Sequence, residues 1–287
     1  MMTRKTLVAV ALGLVLGVPG LAKAQYTFTT IDVPGSTSTA VNGNSPNAIA
    51  GQFDDAAGDT HGFVLSKGVF TQIDVPGAIL TTVNGINASG QLAGIYRDAL
   101  RKFHGFFWSK GVFTTLDVPG AIRTVAFFLN AQGEVVGTYR TPDNRRHGFV
   151  WSKGAFTTID EPDSAGPGGT SVIGINDLGE VVGTYVDAAG DRDGFLLSKG
   201  VYTSIDVPDE DEFTVSQGIN NAGDIVGLYH DAHGNDHGFV LSKGVYTTID
   251  VPGALWTEVY SINAKGEIVG AYEDEDGVHG FVGTPDR

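Results

Sequence analysis

From Tyr26 onward one phrase is written six times: approximately I-N-x-x-G-x-I-V-G-x-Y, a polar turn, H-G-F-V-x-S-K-G, then F-T-T-I-D-V-P-G. Its aspartate recurs at Asp32, Asp74, Asp117, Asp160, Asp206 and Asp250, at intervals of 42, 43, 43, 46 and 44 residues. A period this regular specifies an array of like supersecondary units, and it restricts the fold more than any composition does.

Each unit holds four strand-like runs. In the fifth, a short run at 218–220 ends in the turn Asn221-Ala222-Gly223, and a second occupies 224–229. A polar segment leads to a third run at 237–241, and Ser242-Lys243-Gly244 turns into a fourth at 245–251. β-Branched and aromatic residues between Gly-, Asn- and Asp-bearing turns spell three successive hairpins. No segment shows sustained helical periodicity with caps.

A lone meander of this size cannot cover both of its faces. The fourth run, Val-Tyr-Thr-Thr-Ile-Asp-Val, is apolar on both, which suits a sheet buried between neighbours. Stacked radially, such sheets form a β-propeller, with blades of about 40–45 residues around a channel. Residues 26–33 form an orphan fourth strand, and the sixth unit lacks that strand after His279-Gly280-Phe281. The expected architecture is therefore all-β: a six-bladed β-propeller of four-stranded antiparallel blades, closed by the N-terminal strand completing the last blade. Such closure removes two open edges, whereas an open solenoid would call for distinct capping repeats. A paired β-trefoil is the alternative; it accommodates six units but leaves the divided one unexplained.

The segments Ile219-Asn220-Asn221-Ala222-Gly223-Asp224-Ile225-Val226-Gly227 and His237-Gly238-Phe239-Val240 resemble the HAF-repeat family of predicted bacterial extracellular proteins. The resemblance spans essentially all of 25–287. The family's His-Ala-Phe is His-Gly-Phe here, and Asp193-Gly194-Phe195 in the fourth unit, so the match is to a variant. It implies secretion and a repeat fold, and brings no activity or catalytic residues.

The first residues read as a signal peptide: Arg4 and Lys5, an apolar stretch at 7–18 too short to span a bilayer, and Ala22-Lys23-Ala24 before Gln25. Cleavage near Ala24-Gln25 would leave 25–287 as a single propeller domain, secreted or periplasmic, with no transmembrane segment expected. It would remove Arg4, Lys5 and Lys23 and no acid, taking the net charge from −15 to −18. So acidic a surface repels nucleic acid at long range and favours cations or basic partners. Cysteine is absent, so an exported chain must rely on its core without disulfides. Met1 and Met2 lie in the signal and are the sole methionines.

His61, His104, His147, His237 and His279 invite a metal or acid–base reading. They occupy one position in successive units, however, and a ring holds such positions apart, while metal ligands must cluster. Each shares its unit with an Asp and a Ser (Asp250 and Ser242 in the fifth), so a structural hydrogen-bonded set is expected. The Asn of I-N (Asn87, Asn130, Asn176, Asn220, Asn263) should bond turn backbone. The Gly of V-G-x-Y (Gly94, Gly137, Gly183, Gly227, Gly270) should permit close approach of adjacent blades. Acidic turns such as 187–191 lack the full ligand run of a calcium loop. No metal and no cofactor is called for.

Function is expected where the copies differ. Inter-blade links and second-to-third-strand loops share one face of a meander propeller; the Asn-x-x-Gly and Ser-Lys-Gly turns share the other, with Lys67, Lys110, Lys153, Lys199 and Lys243 as solubilising charge. The loop-rich face is uneven. Blades two and three bring Arg97, Arg101, Lys102, Arg140, Arg145 and Arg146, while Asp54, Asp55, Asp59 and residues 273–276 are acidic. Two links are enlarged, at 163–169 and 209–212. One link position holds Leu80, Arg123 and Trp256 in different copies, with Glu258 close by. Trp256, Arg123 and Glu258 are the candidate ligand-binding residues, suited to stacking on a sugar ring and to polar contacts.

The sequence thus points to a secreted, non-catalytic and monomeric binding module for a glycan or cell-surface protein, with no catalytic residues assigned. One alternative is a polysaccharide hydrolase or lyase using Glu258, Glu161 and the acids of 209–212 around the channel. Another is a structural cell-surface repeat protein.

Overall fold

The structure is a computed structural model; it describes residues 22–23, 26–208 and 210–286, without the side chains of 22, 23 and 210–212. The signal-peptide and cleavage assignments lie outside the described residues, apart from Ala22–Lys23, whose backbone pairs in parallel with Thr247 and Thr248.

All regular structure among the described residues is β, arranged as six four-stranded antiparallel meanders. From inner to outer strand, blade one is Ser38–Ser45, Ala48–Asp54, Thr60–Ser66 and Val69–Ile73. Blade two is Leu80–Ile86, Leu92–Arg97, Phe103–Ser109 and Val112–Leu116. Blade three is Arg123–Leu129, Val135–Arg140, Arg146–Ser152 and Ala155–Ile159. Blade four is Thr170–Ile175, Val181–Val186, Arg192–Ser198 and Val201–Ile205. Blade five is Glu210–Ile219, Ile225–Asp231, Asp236–Ser242 and Val245–Ile249; one parallel bridge, Arg192 to Phe213, joins it to blade four. Blade six is Trp256–Ile262, Ile268–Asp274 and Gly277–Pro285, with Tyr26–Ile31 as the fourth strand of the same sheet, paired from Tyr26↔Pro285 to Ile31↔Gly280.

Each inner strand packs on the second and third strands of the preceding blade, and Ser38–Ser45 packs in this way on blade six. A cavity of about 180 Å³ is lined by the same turn from all six blades, at Ser45, Asn87, Asn130, Asn176, Asn220 and Asn263. Six radial sheets with one position of each around a common axis are a propeller, not the barrels of a paired β-trefoil.

The turns follow from their residues. Lys67, Lys110, Lys153, Lys199 and Lys243 have φ of 50–51°, each followed by a glycine of positive φ. Two left-handed residues in a row make the tight primed hairpin turn that matches strand twist. Asn87 Oδ1 accepts from the backbone N–H of Ser89 and Gln91, and its amide donates to the carbonyl of Asn130 in the next blade. Asn130, Asn176 and Asn220 repeat both contacts, so the expected turn role holds and an inter-blade relay comes with it.

Two glycines have roles that the repeat alone does not reveal. A Cβ on Gly227 would lie 1.9 Å from the Val215 carbonyl oxygen and 2.8 Å from the Phe239 ring. The V-G-x-Y glycine therefore makes room for its own blade's phenylalanine, not for an adjacent blade. Close approach of blades falls instead to the Gly of His-Gly-Phe: a Cβ on Gly238 would meet Val259 Cγ2 at 2.5 Å, and one on Gly148 would meet Val172 Cγ2 at 2.4 Å. Phe63, Phe106, Phe149, Phe195, Phe239 and Phe281 are at most 1% exposed, one at the centre of each blade.

Candidate functional site

The inner strands begin earlier than the sequence suggests. The variable link position is the first residue of a strand, at Leu80, Arg123 and Trp256. The next residue is always threonine: Thr39, Thr81, Thr124, Thr170, Thr214 and Thr257 are all buried. Each hydroxyl accepts from a link N–H, that of Val33, Val75, Val118, Glu161, Val207 or Val251, at 2.9–3.3 Å. Alternation then turns the preceding residue to the opposite side. Six identical anchors thus carry six different residues: Ser38, Leu80, Arg123, Gly169, Phe213 and Trp256.

In blade three this position opens a row. Arg123 pairs across the sheet with Arg140, and Arg140 with Arg146. Like charges directly opposite each other on adjacent strands are destabilising. The three arginines nevertheless line one cavity of about 320 Å³, with Thr82 and Ile95 of blade two, Phe127 and Tyr139 of blade three, and Ser171 of blade four. The cavity lies at the link and loop ends of the inner strands, away from the asparagine turns. Among the described residues, no carboxylate lines it.

The guanidinium groups are held by neutral partners. Arg140 Nη1 donates to the backbone carbonyl and side-chain oxygen of Asn144 at 2.8 and 2.9 Å. Arg146 Nη1 donates to Ser171 Oγ at 3.2 Å. Arg123 lies 4.4 Å from the centre of the Phe103 ring, which Arg97 also approaches at 5.2 Å. The described ion pairs include no contact of these arginines with a carboxylate. Burial first, and then the charge of Arg140, holds the pKa of Arg123 below the ordinary arginine value. Arg146 is lowered by burial, then by Arg140, Arg192 and Arg123, and Arg192 by burial. Thr138, 7% exposed, lines the same cavity, and its hydroxyl has no hydrogen-bond partner among the described residues.

Of the three expected binding residues, only Arg123 lies here. Trp256 borders a separate cleft of about 360 Å³ with Asp236, His237, Asp250 and the link to blade six, and its indole N–H donates to Glu273, its cross-strand partner. Glu258 lines neither cavity; burial raises its carboxyl pKa, and a hydrogen bond with Tyr260 opposes the shift. Trp256 and Arg123 occupy the same repeat position in blades three apart, so the ring sets them on opposite sides.

The histidines are separated as expected. Nδ1 of His61, His104, His147, His237 and His279 bonds Asp74, Asp117, Asp160, Asp250 and Asp32 at 2.7–3.1 Å. Nε2 of all but His147 faces a second carboxylate, Asp55, Asp98, Asp231 or Asp274, at 3.3–3.7 Å. The serine is not part of this set. Ser152, Ser198 and Ser242 donate to Glu134, Glu180 and Asp224 at the opposite end of the third strand. Among the described residues, no group of three or more His, Asp and Glu side chains is arranged to hold a metal ion.

Sequence reasoning noted the basic loops but missed Thr138, Ser171, Tyr139 and Arg192. The signal available for Arg192 was its replacement of the residue before the His-Gly-Phe histidine, which Arg146 also occupies.

In sequence, the chain matches no family model and no curated protein. In structure it is similar to a fungal lectin from Aleuria aurantia, described as a six-bladed β-propeller with a novel fucose recognition mode (TM-score 0.54, 10% identity, 88% of this chain and 93% of that one). It is similar also to the SapL1 lectin, solved with α-methyl fucoside (TM-score 0.52, 13% identity, 83% and 89%). A third similar structure is the β-propeller domain of the Trilobed protease from Pyrococcus furiosus, described as having an open velcro topology (TM-score 0.54, 7% identity, 87% and 96%). At such identities the likeness bears on fold alone: the chain is a six-bladed β-propeller.

Proposed function

We propose that this protein is a secreted, non-catalytic binding module, a His-Gly-Phe variant of the HAF-repeat proteins, that takes up a glycan through its loop-rich face. The observation that carries this reading is the contrast at the head of the inner strands: six identical buried threonines beneath six different residues. A fixed scaffold with a variable rim is how propeller loops acquire a ligand. The cavity beside Arg123 adds an apolar and aromatic wall, from Ile95, Phe127 and Tyr139, to a few convergent polar groups. The lectins among the similar structures, two of them fucose-associated by their descriptions, make a saccharide the leading ligand class. In the same reading the strand Tyr26–Ile31 closes the ring, and the protein is a monomer.

For a hydrolase or lyase, the acidic side chains at 209–212 lie outside the described residues, and the placement of the other two acids disfavours the reading. Glu161 is 7% exposed, and its carboxylate accepts from the Asp163 N–H within the link between blades three and four. Glu258 stands across the ring in blade six. A carboxylate pair acting on one glycosidic bond needs a separation of about 5–10 Å.

The test is a glycan array probed with the chain from Gln25 onward, as wild type, Arg123→Ala and Trp256→Ala. The wild type should retain a defined subset of saccharides, and at least one variant should lose it ten-fold or more. A blank array for all three overturns the reading; capture of a cell-surface protein in its place would favour a protein partner.

A further inference from the structure

We propose that the arginine-lined cavity of blade three recognises a saccharide carrying one isolated oxyanion, a carboxylate or a sulfate ester. This rests on the glycan-binding reading above and names its ligand class. Three independent features converge on the same space. The first is the row Arg123–Arg140–Arg146, opposed across three strands. In an acidic chain of net charge −15, three arginines without carboxylate partners among the described residues are a choice that folding alone does not call for. The second is the way they are held: Asn144, Ser171 and the Phe103 ring fix the guanidinium groups with neutral contacts, and most of their N–H donors have no partner among the described residues. A fixed planar fork with free donors suits bidentate recognition of an oxyanion. The third is Thr138, whose buried hydroxyl lines the cavity with no partner among the described residues. A buried polar group normally finds a hydrogen bond, and a bound oxyanion or sugar hydroxyl would supply it.

Charge and size restrict the ligand further. Asp231, Asp236, Glu258 and Glu273 belong to blades five and six of the same face. A densely charged polymer crossing that face would meet them, whereas a saccharide with a single terminal charge would not. The volume of about 320 Å³ suits such a small group, with Ile95, Val125, Phe127 and Tyr139 against the apolar face of a sugar ring.

Calorimetric titration with sialyllactose, sulfolactose and lactose tests this, since the three share one neutral core. Either or both charged ligands should bind at least ten-fold more tightly than lactose; which of them does so identifies the carboxylate or the sulfate as the source. Arg140→Met and Arg146→Met should each lose ten-fold or more in that affinity while unfolding at an unchanged or higher temperature, because like-charge repulsion is relieved. Arg101→Met, outside the cavity, should bind as wild type. Should Arg140→Met fail to fold, Arg140→Lys keeps the charge, loses the fork and should still weaken binding several-fold. Equal affinity for lactose and both charged ligands would overturn the oxyanion assignment yet leave the glycan reading standing, as would tight binding of neutral array sugars alone. Arginine variants that bind as wild type would overturn the assignment to this cavity. An array blank for every saccharide would remove the underlying reading together with it.

Discussion

Asp193 stands where the other blades have histidine, and the change alters how its blade responds to pH. Burial first, and then the neighbouring Asp206 carboxylate, pushes the Asp193 pKa up to about 6. A carboxyl whose folded pKa is raised binds its proton more tightly in the native state. Its favourable contribution is complete below the unfolded value near 4 and is lost as pH rises through about 6. Both groups are partly exposed, so after solvent screening the effect is roughly 1 kcal/mol or less. Asp193→Asn should therefore gain stability relative to wild type between pH 4 and 6, read as a difference in thermal midpoint that grows in favour of the variant over that interval. Asp193→His should gain more at pH 6, by restoring a His–Asp pair with Asp206. A variant whose midpoint tracks wild type across the interval would refute the raised pKa of Asp193.

At the level of strands, packing between blades runs through glycine. Gly238→Ala should destabilise by about 1–3 kcal/mol through overpacking, because its methyl meets Val259 Cγ2. Adding Val259→Ala should recover part of the loss, as chemical denaturation of the single and double variants can measure. Gly227→Ala should be at least as costly and should resist rescue by any side-chain change, since its methyl meets the Val215 carbonyl oxygen. Strand identity and order were readable from the repeat because β-branched residues and turn signals alternate within each copy. The length of the inner strands was not. Thr-x-Val segments such as 257–259 follow a Pro-Gly turn and read as link, and only pairing such as Trp256↔Glu273 shows them to be strand. Register likewise concealed the arginine row: Arg123, Arg140 and Arg146 look like scattered basic residues until cross-strand pairing aligns them.

Across the whole molecule, the repeat made the ring legible and made the site hard to read. In the sequence Trp256, Arg123 and Glu258 form a group because two of them share a repeat position, yet equal repeat position in a ring means equal radius at a different angle. The reasoning that separates the five histidines also separates Arg123 from Trp256. The same ring carries a pH signature. The pKa of His237 and His279 is raised: burial opposes protonation, but Asp250 and Asp231, or Asp32 and Asp274, outweigh it. That stabilisation is complete below the unfolded histidine value near 6.5 and is lost as pH rises through the higher folded value. Asp55, Asp98 and Asp231 are shifted the other way, chiefly by backbone N–H donors, so their contribution is present above the unfolded value near 4 and is lost as pH falls through the lower folded values. Thermal midpoints scanned from pH 3 to 9 should peak between about 4 and 6; a maximum above 7 would contradict the His–Asp assignments. Removal of residues 26–33 should cost blade six its fourth strand and His279 its partner Asp32, giving a chain that aggregates through its open edge. A peptide of those eight residues, added in trans, should restore the size-exclusion elution volume of the untruncated chain.

The pairing of Tyr26 with Pro285 also sets an expectation for how the protein should respond to mechanical load. In a chain cleaved after Ala24, which lacks the pairing of Ala22–Lys23 with Thr247 and Thr248, the two ends of this antiparallel pair would leave the sheet side by side, so a pull that separates them would peel the strands apart one bridge at a time instead of shearing all bridges together. Anchored at one end and drawn from the other, the molecule would yield first at blade six, while the five blades between Ser38 and Ile249 remained stacked.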